Sequence, residues 1–140
     1  MSGELIIRVV ERDDDYLGID IRAITDRFGG SAWIYAGLDE LADFANLIAG
    51  FPRTIDDERT HEFGSRDTGI AGGFCSLRFH CTDGVGHARV EAAIEDDFRF
   101  YEFGSAKFSF QVFPADIDRF ALSLRKINHD KAGEACLVTK

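Results

Sequence analysis

The architecture follows from one segment, Gly73-Phe-Cys-Ser-Leu-Arg-Phe-His-Cys-Thr-Asp-Gly-Val-Gly-His-Ala-Arg-Val-Glu-Ala-Ala-Ile-Glu-Asp96. Apolar and polar residues alternate on both sides of Asp83-Gly84, and this dipeptide between two alternating runs is a strong signal for a β-hairpin. The positions that share the apolar phase are Cys75, Leu77, Phe79, Cys81, Ala88, Val90, Ala92 and Ile94. The segment therefore predicts a hairpin with one face in the core and the other in water.

Two hairpin registers keep apolar residues opposite one another, because the side-chain period of a strand is two. The first register brings Arg78 opposite Arg89. The second, shifted by two residues, brings Arg78 opposite Glu91. It also places Phe79 opposite Val90. Like charges directly across a strand pair are unfavourable, so the sequence favours the second register.

Alternation and helical spacing organise the rest of the chain. Further strands are predicted at Leu5 to Val10, Tyr16 to Ile24, Ser31 to Ala36 and Lys107 to Phe113. The segment around Arg59 to Phe63 is either a short strand or part of a loop. Amphipathic helices are predicted at Leu38 to Ala49 and from Pro114 to Ile127. The expected fold class is α+β: a single domain over residues 1–140, with an antiparallel β-sheet of about six strands and two amphipathic helices packed on one face.

Two segments are harder to assign. The stretch from Phe98 to Phe103 either prolongs the second hairpin strand or forms a turn that carries aromatic residues. The tail from Asn128 onwards is predicted to be loose, as chain ends often are.

The net charge of −9 restricts the classes of partner. It opposes binding to nucleic acid and to anionic membranes, both of which depend on Lys and Arg. It favours basic partners, although solubility alone would also account for it. The N-terminus lacks the features of a signal peptide, and three cysteines are an odd number. We therefore expect a cytoplasmic protein with reduced thiols.

The motifs of common chemistries are incomplete in this sequence. Cys75 and Cys81 would lie about 20 Å apart on one strand, too far to share a metal ion. The Asp13-Asp14-Asp15 run resembles the start of a calcium loop, but the loop's twelfth position is Ile24 rather than Glu. No nucleophile motif or phosphate-binding loop is present. We expect no catalytic residues, no metal site and no cofactor.

A cluster of aromatic residues after the hairpin is the strongest functional signal. Aromatic residues bordered by acids are typical of an interface core with a charged rim. The predicted partner-binding residues are Asp96, Asp97, Phe98, Phe100, Tyr101 and Phe103. The alternative is that these aromatic residues complete the core beneath the helices.

Several short segments resemble a group of small uncharacterised bacterial proteins. They are Gly37-Leu-Asp-Glu-Leu41, Phe51-Pro52, Leu77-Arg-Phe-x-Cys81, Gly84-x-Gly-His87 and Ile117-Asp-Arg-Phe120. In size, acidity and order of elements these proteins are similar to immunity proteins of bacterial polymorphic-toxin systems. The resemblance implies stoichiometric binding and neutralisation of a cognate toxin, and it brings no catalytic residues.

The leading hypothesis is a non-enzymatic protein-binding module of the immunity-protein kind, with a basic toxin domain as its partner. A second hypothesis is a small-molecule-binding or enzymatic domain with a pocket between sheet and helices. A third is a homo-oligomer formed through an uncovered sheet face.

Overall fold

The computed structural model describes residues 2–66, 72–85, 87–99, 102–127 and 133–138, with the backbone alone at 97–99 and 102. None of the helices in these ranges is both long enough and apolar enough to cross a membrane.

The described residues form eight strands and two helices. The strands are β1 (Gly3–Arg12), β2 (Leu17–Thr25), β3 (Gly29–Ala36), β4 (Glu58–Gly64), β5 (Phe74–Cys81), β6 (Ala88–Arg99), β7 (Glu102–Val112) and β8 (Gly133–Val138). Helix α1 (Glu40–Ile48) follows β3, and helix α2 (Pro114–Ile127) lies between β7 and β8. The α+β class, the antiparallel pairing and both predicted helices are confirmed.

The strands form two antiparallel sheets of four, with the orders β3-β2-β1-β8 and β4-β5-β6-β7. The central hairpin has the predicted second register, in which Phe79 lies opposite Val90 and Arg78 opposite Glu91. In the described part of the uncertain stretch, β6 continues to Arg99, which pairs with Glu102 at the start of β7, while Phe100 and Tyr101 lie outside the described residues.

The prediction of one sheet with about six strands is wrong. Every strand alternates apolar and polar residues because its sheet buries one face. This alternation is the same whether the strands form one wide sheet or two sheets stacked face to face. The outcome depends on contacts between distant residues. Here β3 and β1 of the first sheet pack on β6 and β7 of the second, so the sheets share their buried faces.

The predicted loose tail is also wrong over residues 133–138. Strand β8 pairs with β1, with Leu137 opposite Leu5 and Ala135 opposite Ile7. Only these two β8 side chains are buried. Two alternating apolar residues give only a weak strand signal in the sequence. The strand itself is stabilised by its long-range pairing with β1.

One connected core lies between the two sheets and the two helices. The ring of Phe44 on α1 lies at its centre, 5.2 Å from the ring of Phe63 and 6.3 Å from those of Phe79 and Phe120. These rings belong to β4, β5 and α2, so one side chain joins both helices to the second sheet. Ring contacts of this kind add to the burial of apolar surface.

The C-terminal end of α1 is held by a side chain from β4. The Arg59 guanidinium donates hydrogen bonds to the carbonyls of Leu47 and Ala49, at 3.0 and 2.8 Å. It also pairs with the Asp57 carboxylate at 2.7 Å, and this interaction lowers the pKa of Asp57 below its ordinary value. A cation at a helix C-terminus satisfies unpaired carbonyls and interacts favourably with the negative end of the helix dipole.

The two sheets meet at a glycine junction, which we define as Gly64, Gly73 and the backbone of Trp33. The Gly73 N–H donates to the Trp33 carbonyl at 2.7 Å and so links the start of β5 to β3. Gly64 has φ of +76°, and a Cβ at this position would overlap the Gly73 carbonyl oxygen. A Cβ at Gly73 would lie 2.7 Å from the Glu95 carbonyl oxygen. Both overlaps are between neighbouring strands of the second sheet, and only glycine permits backbone to approach backbone this closely.

Substituting Gly64 should therefore cost more than substituting Gly50, which also has positive φ but where an added Cβ would meet no atom within 4 Å. Gly50→Ala should lose about 1–2 kcal/mol from the left-handed backbone alone. Gly64→Ala should lose a further 1–3 kcal/mol, roughly, from the backbone overlap. Urea unfolding followed by Trp33 fluorescence measures both. Equal losses for the two variants would contradict the backbone overlap at Gly64.

Candidate functional site

A groove opens where the β2–β3 turn lies against the β6–β7 hairpin. It encloses about 290 Å³. We call it the hairpin groove, and its lining residues are Gly29, Gly30, Ser31, Ile94, Asp96, Phe103, Gly104, Ser105 and Ala106. A second, wider depression on the β2–β3 side shares Gly29, Gly30 and Ser31 with it and extends over Phe28. The two adjoin at the start of β3, and each is lined by one exposed aromatic residue, Phe103 in the first and Phe28 in the second.

Two glycines shape the groove in opposite ways. A Cβ at Gly30 would lie 3.3 Å from the Ala106 Cβ, so the absence of a side chain lets β3 approach β7 closely and close the floor. At Gly104 an added Cβ would meet no atom within 4 Å. The wall at Gly104 is therefore open and has room for a side chain from another molecule.

The position of Phe28 is fixed by its turn. The Thr25 hydroxyl oxygen accepts a hydrogen bond from the Phe28 N–H at 3.1 Å, and the Thr25 N–H donates to the Phe28 carbonyl at 2.7 Å. The Phe28 ring stacks on the Phe108 ring, with 6.2 Å between centroids and 21° between planes. Phe28 nevertheless remains 57% exposed. A side-chain-stabilised turn thus holds an aromatic ring at the surface.

The predicted partner-binding residues fall into three groups. Phe103 is 67% exposed and Asp96 is partly buried, and both line the hairpin groove. Asp97 and Phe98 lie in β6 at positions where side chains are not described. Phe100 and Tyr101 lie outside the described residues. For Phe103, the alternative of a core position beneath the helices is wrong.

Sequence reasoning missed Phe28 and the two glycines that follow it. The sequence carried a signal, since an aromatic residue followed by Gly29-Gly30 in a turn has little chance of being buried. The partnership between this turn and the β6–β7 hairpin could not be inferred, because it joins residues about seventy positions apart that meet only when the sheets stack.

Charges of both signs surround the groove. Glu95 next to Asp96 pairs with Arg66 at 2.6 Å, and the Arg66 guanidinium lies 4.2 Å from the centroid of the Phe74 ring. Asp26 and Arg27 are both exposed in the β2–β3 turn. The groove is therefore lined by a mixture of apolar side chains, glycines and polar groups, and charges of both signs lie near it.

The cysteines and histidines do not converge. Within the described ranges no group of three or more His, Cys, Asp or Glu residues is placed to hold a metal ion. Burial raises the pKa of the Cys75 thiol to about 12, so this thiol is protonated and inert near neutral pH. Cys81 is only partly buried. His87 pairs with Asp83 in the hairpin turn, and this hydrogen bond lowers the pKa of Asp83.

The space between helices and sheets is occupied by packed apolar side chains. Each of the two amphipathic helices buries an apolar stripe: Leu41, Phe44, Ala45 and Ile48 in α1, and Ile117, Phe120, Ala121, Leu124 and Ile127 in α2. These side chains fill the region in which the second hypothesis placed a pocket. That hypothesis would therefore have to use a cavity at the surface.

Comparison with models of protein families found no match, and neither did searches of curated proteins and of solved structures.

The exposure of Phe103 predicts that its ring contributes little to folding. Phe103→Ala should change the free energy of unfolding by less than about 0.5 kcal/mol. Phe108→Ala, on the same strand and only 8% exposed, should cost about 3–5 kcal/mol because it leaves a cavity. Urea unfolding of the two variants tests this contrast. A loss at Phe103 as large as that at Phe108 would mean that Phe103 belongs to the core.

Proposed function

We propose that this chain is a non-enzymatic protein-binding module that engages its partner through the hairpin groove. The observation that carries the proposal is a pair of exposed rings in two adjoining depressions: Phe103 lines the hairpin groove, which is open at Gly104, and Phe28 lines the depression beside it. Exposed aromatic residues around a depression are typical of the energetic centre of a protein interface. The surrounding mixed charges would form its polar rim.

The groove lies between strands at sheet edges, which also suits a protein partner. Strand β3 is at one edge of the first sheet and β7 is at one edge of the second. Edge strands present unpaired backbone groups, and an extended segment of another protein can use them. A partner would thus find the apolar side chains of Ile94 and Phe103 and main-chain hydrogen-bonding groups in the same place.

The partner's charge follows from the whole chain rather than from the groove. A net charge of −9 would accelerate the approach of a basic protein and repel an acidic one. We propose a basic toxin domain as the partner, with this chain as its immunity protein. The size, acidity and α+β class that suggest this role are compatible with stoichiometric inhibition, in which the inhibitor needs a surface and no reacting groups.

Two substitutions should disrupt partner binding by different means. Phe103→Asp removes an apolar anchor and adds a charge, whereas Gly104→Leu fills the open wall of the groove. Both should weaken binding by about tenfold or more, in line with the loss of a central aromatic contact. The purified chain is immobilised and used to capture the partner from a lysate of cells that naturally express it. The affinity of each variant for the purified partner is then measured by calorimetry.

The matched control is Val85→Asp, because Val85 is 79% exposed and lies in the β5–β6 turn away from the groove. This control should retain wild-type affinity. Raising the salt concentration should slow association with the partner for the wild type and for Val85→Asp alike. Light scattering of the purified chain shows whether the partner is a second copy. Wild-type affinity in both groove variants would refute the proposal.

A further inference from the structure

Three aromatic rings form a second cluster on the outer face of the first sheet. The rings of Tyr16 and Tyr35 lie 4.9 Å apart at 80°, and those of Trp33 and Tyr35 lie 4.4 Å apart at 89°. We call this set the aromatic triad. It lies at the opposite end of β3 from the hairpin groove, and Tyr35 is 42% exposed. The triad is therefore not part of the core between the sheets.

Two glycines lie beneath and beside the triad and leave room for its rings. Gly18 lies opposite Tyr35 in the β2–β3 register, and a Cβ at Gly18 would lie 2.7 Å from Cζ2 of Trp33. The indole thus covers a strand position that has no side chain. On the other side, a Cβ at Gly72 would lie 3.3 Å from Cδ2 of Tyr35. The rings are fixed by these contacts and would lose little freedom when a ligand binds.

Carboxylates border the triad. Asp20 lies directly opposite Trp33, and the Tyr16 hydroxyl donates to Oε1 of Glu11 at 3.4 Å. Asp13 accepts hydrogen bonds from the N–H groups of Asp15 and Tyr16, at 2.7 and 2.9 Å. Partial burial, together with the charges of Asp13 and Glu11, raises the pKa of the Tyr16 hydroxyl, as expected in a negative potential.

The cation across the strand pair from Asp20 is directed elsewhere. Arg8 lies opposite Asp20 in the β1–β2 register, yet its Nε pairs with the Glu134 carboxylate at 3.6 Å. Within the described part of the chain, no ion pair is formed by Asp20. An aromatic surface beside this carboxylate is complementary to a cation from outside.

We propose that the aromatic triad, with the carboxylates of Glu11 and Asp20, binds an arginine side chain of the partner. This inference rests on the proposed function and names the group that the partner supplies. A guanidinium is planar and weakly hydrated, so it stacks on Trp and Tyr faces while its N–H groups reach carboxylates. A lysine ammonium lacks the plane and is more strongly hydrated, so the site should prefer arginine.

Trp33 is the only tryptophan of the chain and reports directly on this site. The probes are hexa-arginine and hexalysine peptides, titrated into the purified protein while Trp33 fluorescence is recorded. Hexa-arginine should produce a saturable change, with an affinity about threefold or more above that of hexalysine. Tyr35→Leu should remove this preference, whereas Tyr35→Phe should retain it. Phe113→Leu, an exposed aromatic position elsewhere, is the matched control.

Equal affinities for the two peptides would reduce the interaction to net charge and overturn the proposal, as would an unchanged preference in Tyr35→Leu. If Tyr35→Leu does not fold, Asp20→Asn at the surface takes its place and should weaken hexa-arginine binding. Phe103→Asp should bind hexa-arginine like the wild type, since Phe103 lies outside the triad. A failure of the triad is thus distinguishable from a failure of the hairpin groove.

Discussion

At the glycine junction the two sheets are joined by a backbone-to-backbone hydrogen bond. There the Gly73 N–H bonds to the Trp33 carbonyl, and a Cβ at Gly73 would lie 2.9 Å from the Cβ of Ala32. This contact fixes β3 of the first sheet against the start of β5 in the second. Because β3 is held there, its beginning meets the β6–β7 hairpin and its outer face presents Trp33 and Tyr35. The sheets also meet elsewhere. Gly3 at the start of β1 lies against the Phe110 ring of β7, where a Cβ would overlap the ring. Where the sheets meet, glycines allow close packing, and beneath the helices large aromatic rings fill the space. Together they form one connected core.

Local features of the sequence predicted local structure well. The register of the central hairpin followed from the charges of Arg78, Arg89 and Glu91, which are near neighbours in sequence. The helix stripes followed from spacing alone. The separation into two sheets could not be predicted, because residues such as Gly3 and Phe110 are far apart in the chain and glycine carries no pattern. Strand β8 was missed because it buries only two side chains.

Only the part of the candidate site that is local in sequence could be predicted. Phe103 was identified because aromatic residues clustered in sequence, and the structure places it at the surface. Phe28 joins it only through stacking of the sheets, so no local pattern could connect the two. The groove and the aromatic triad lie at opposite ends of β3. One strand could therefore present an apolar anchor point and an arginine site to the same partner.

An interface at the hairpin groove is tested most directly by site-specific photocrosslinking in cells that express the protein. A photoreactive benzoylphenylalanine replaces Phe103 in one variant and Val85 in another, and the crosslinked species are identified by mass spectrometry. One dominant protein partner should crosslink from position 103 and none from position 85. Equal crosslinking from both positions, or none from position 103, would contradict binding through the groove.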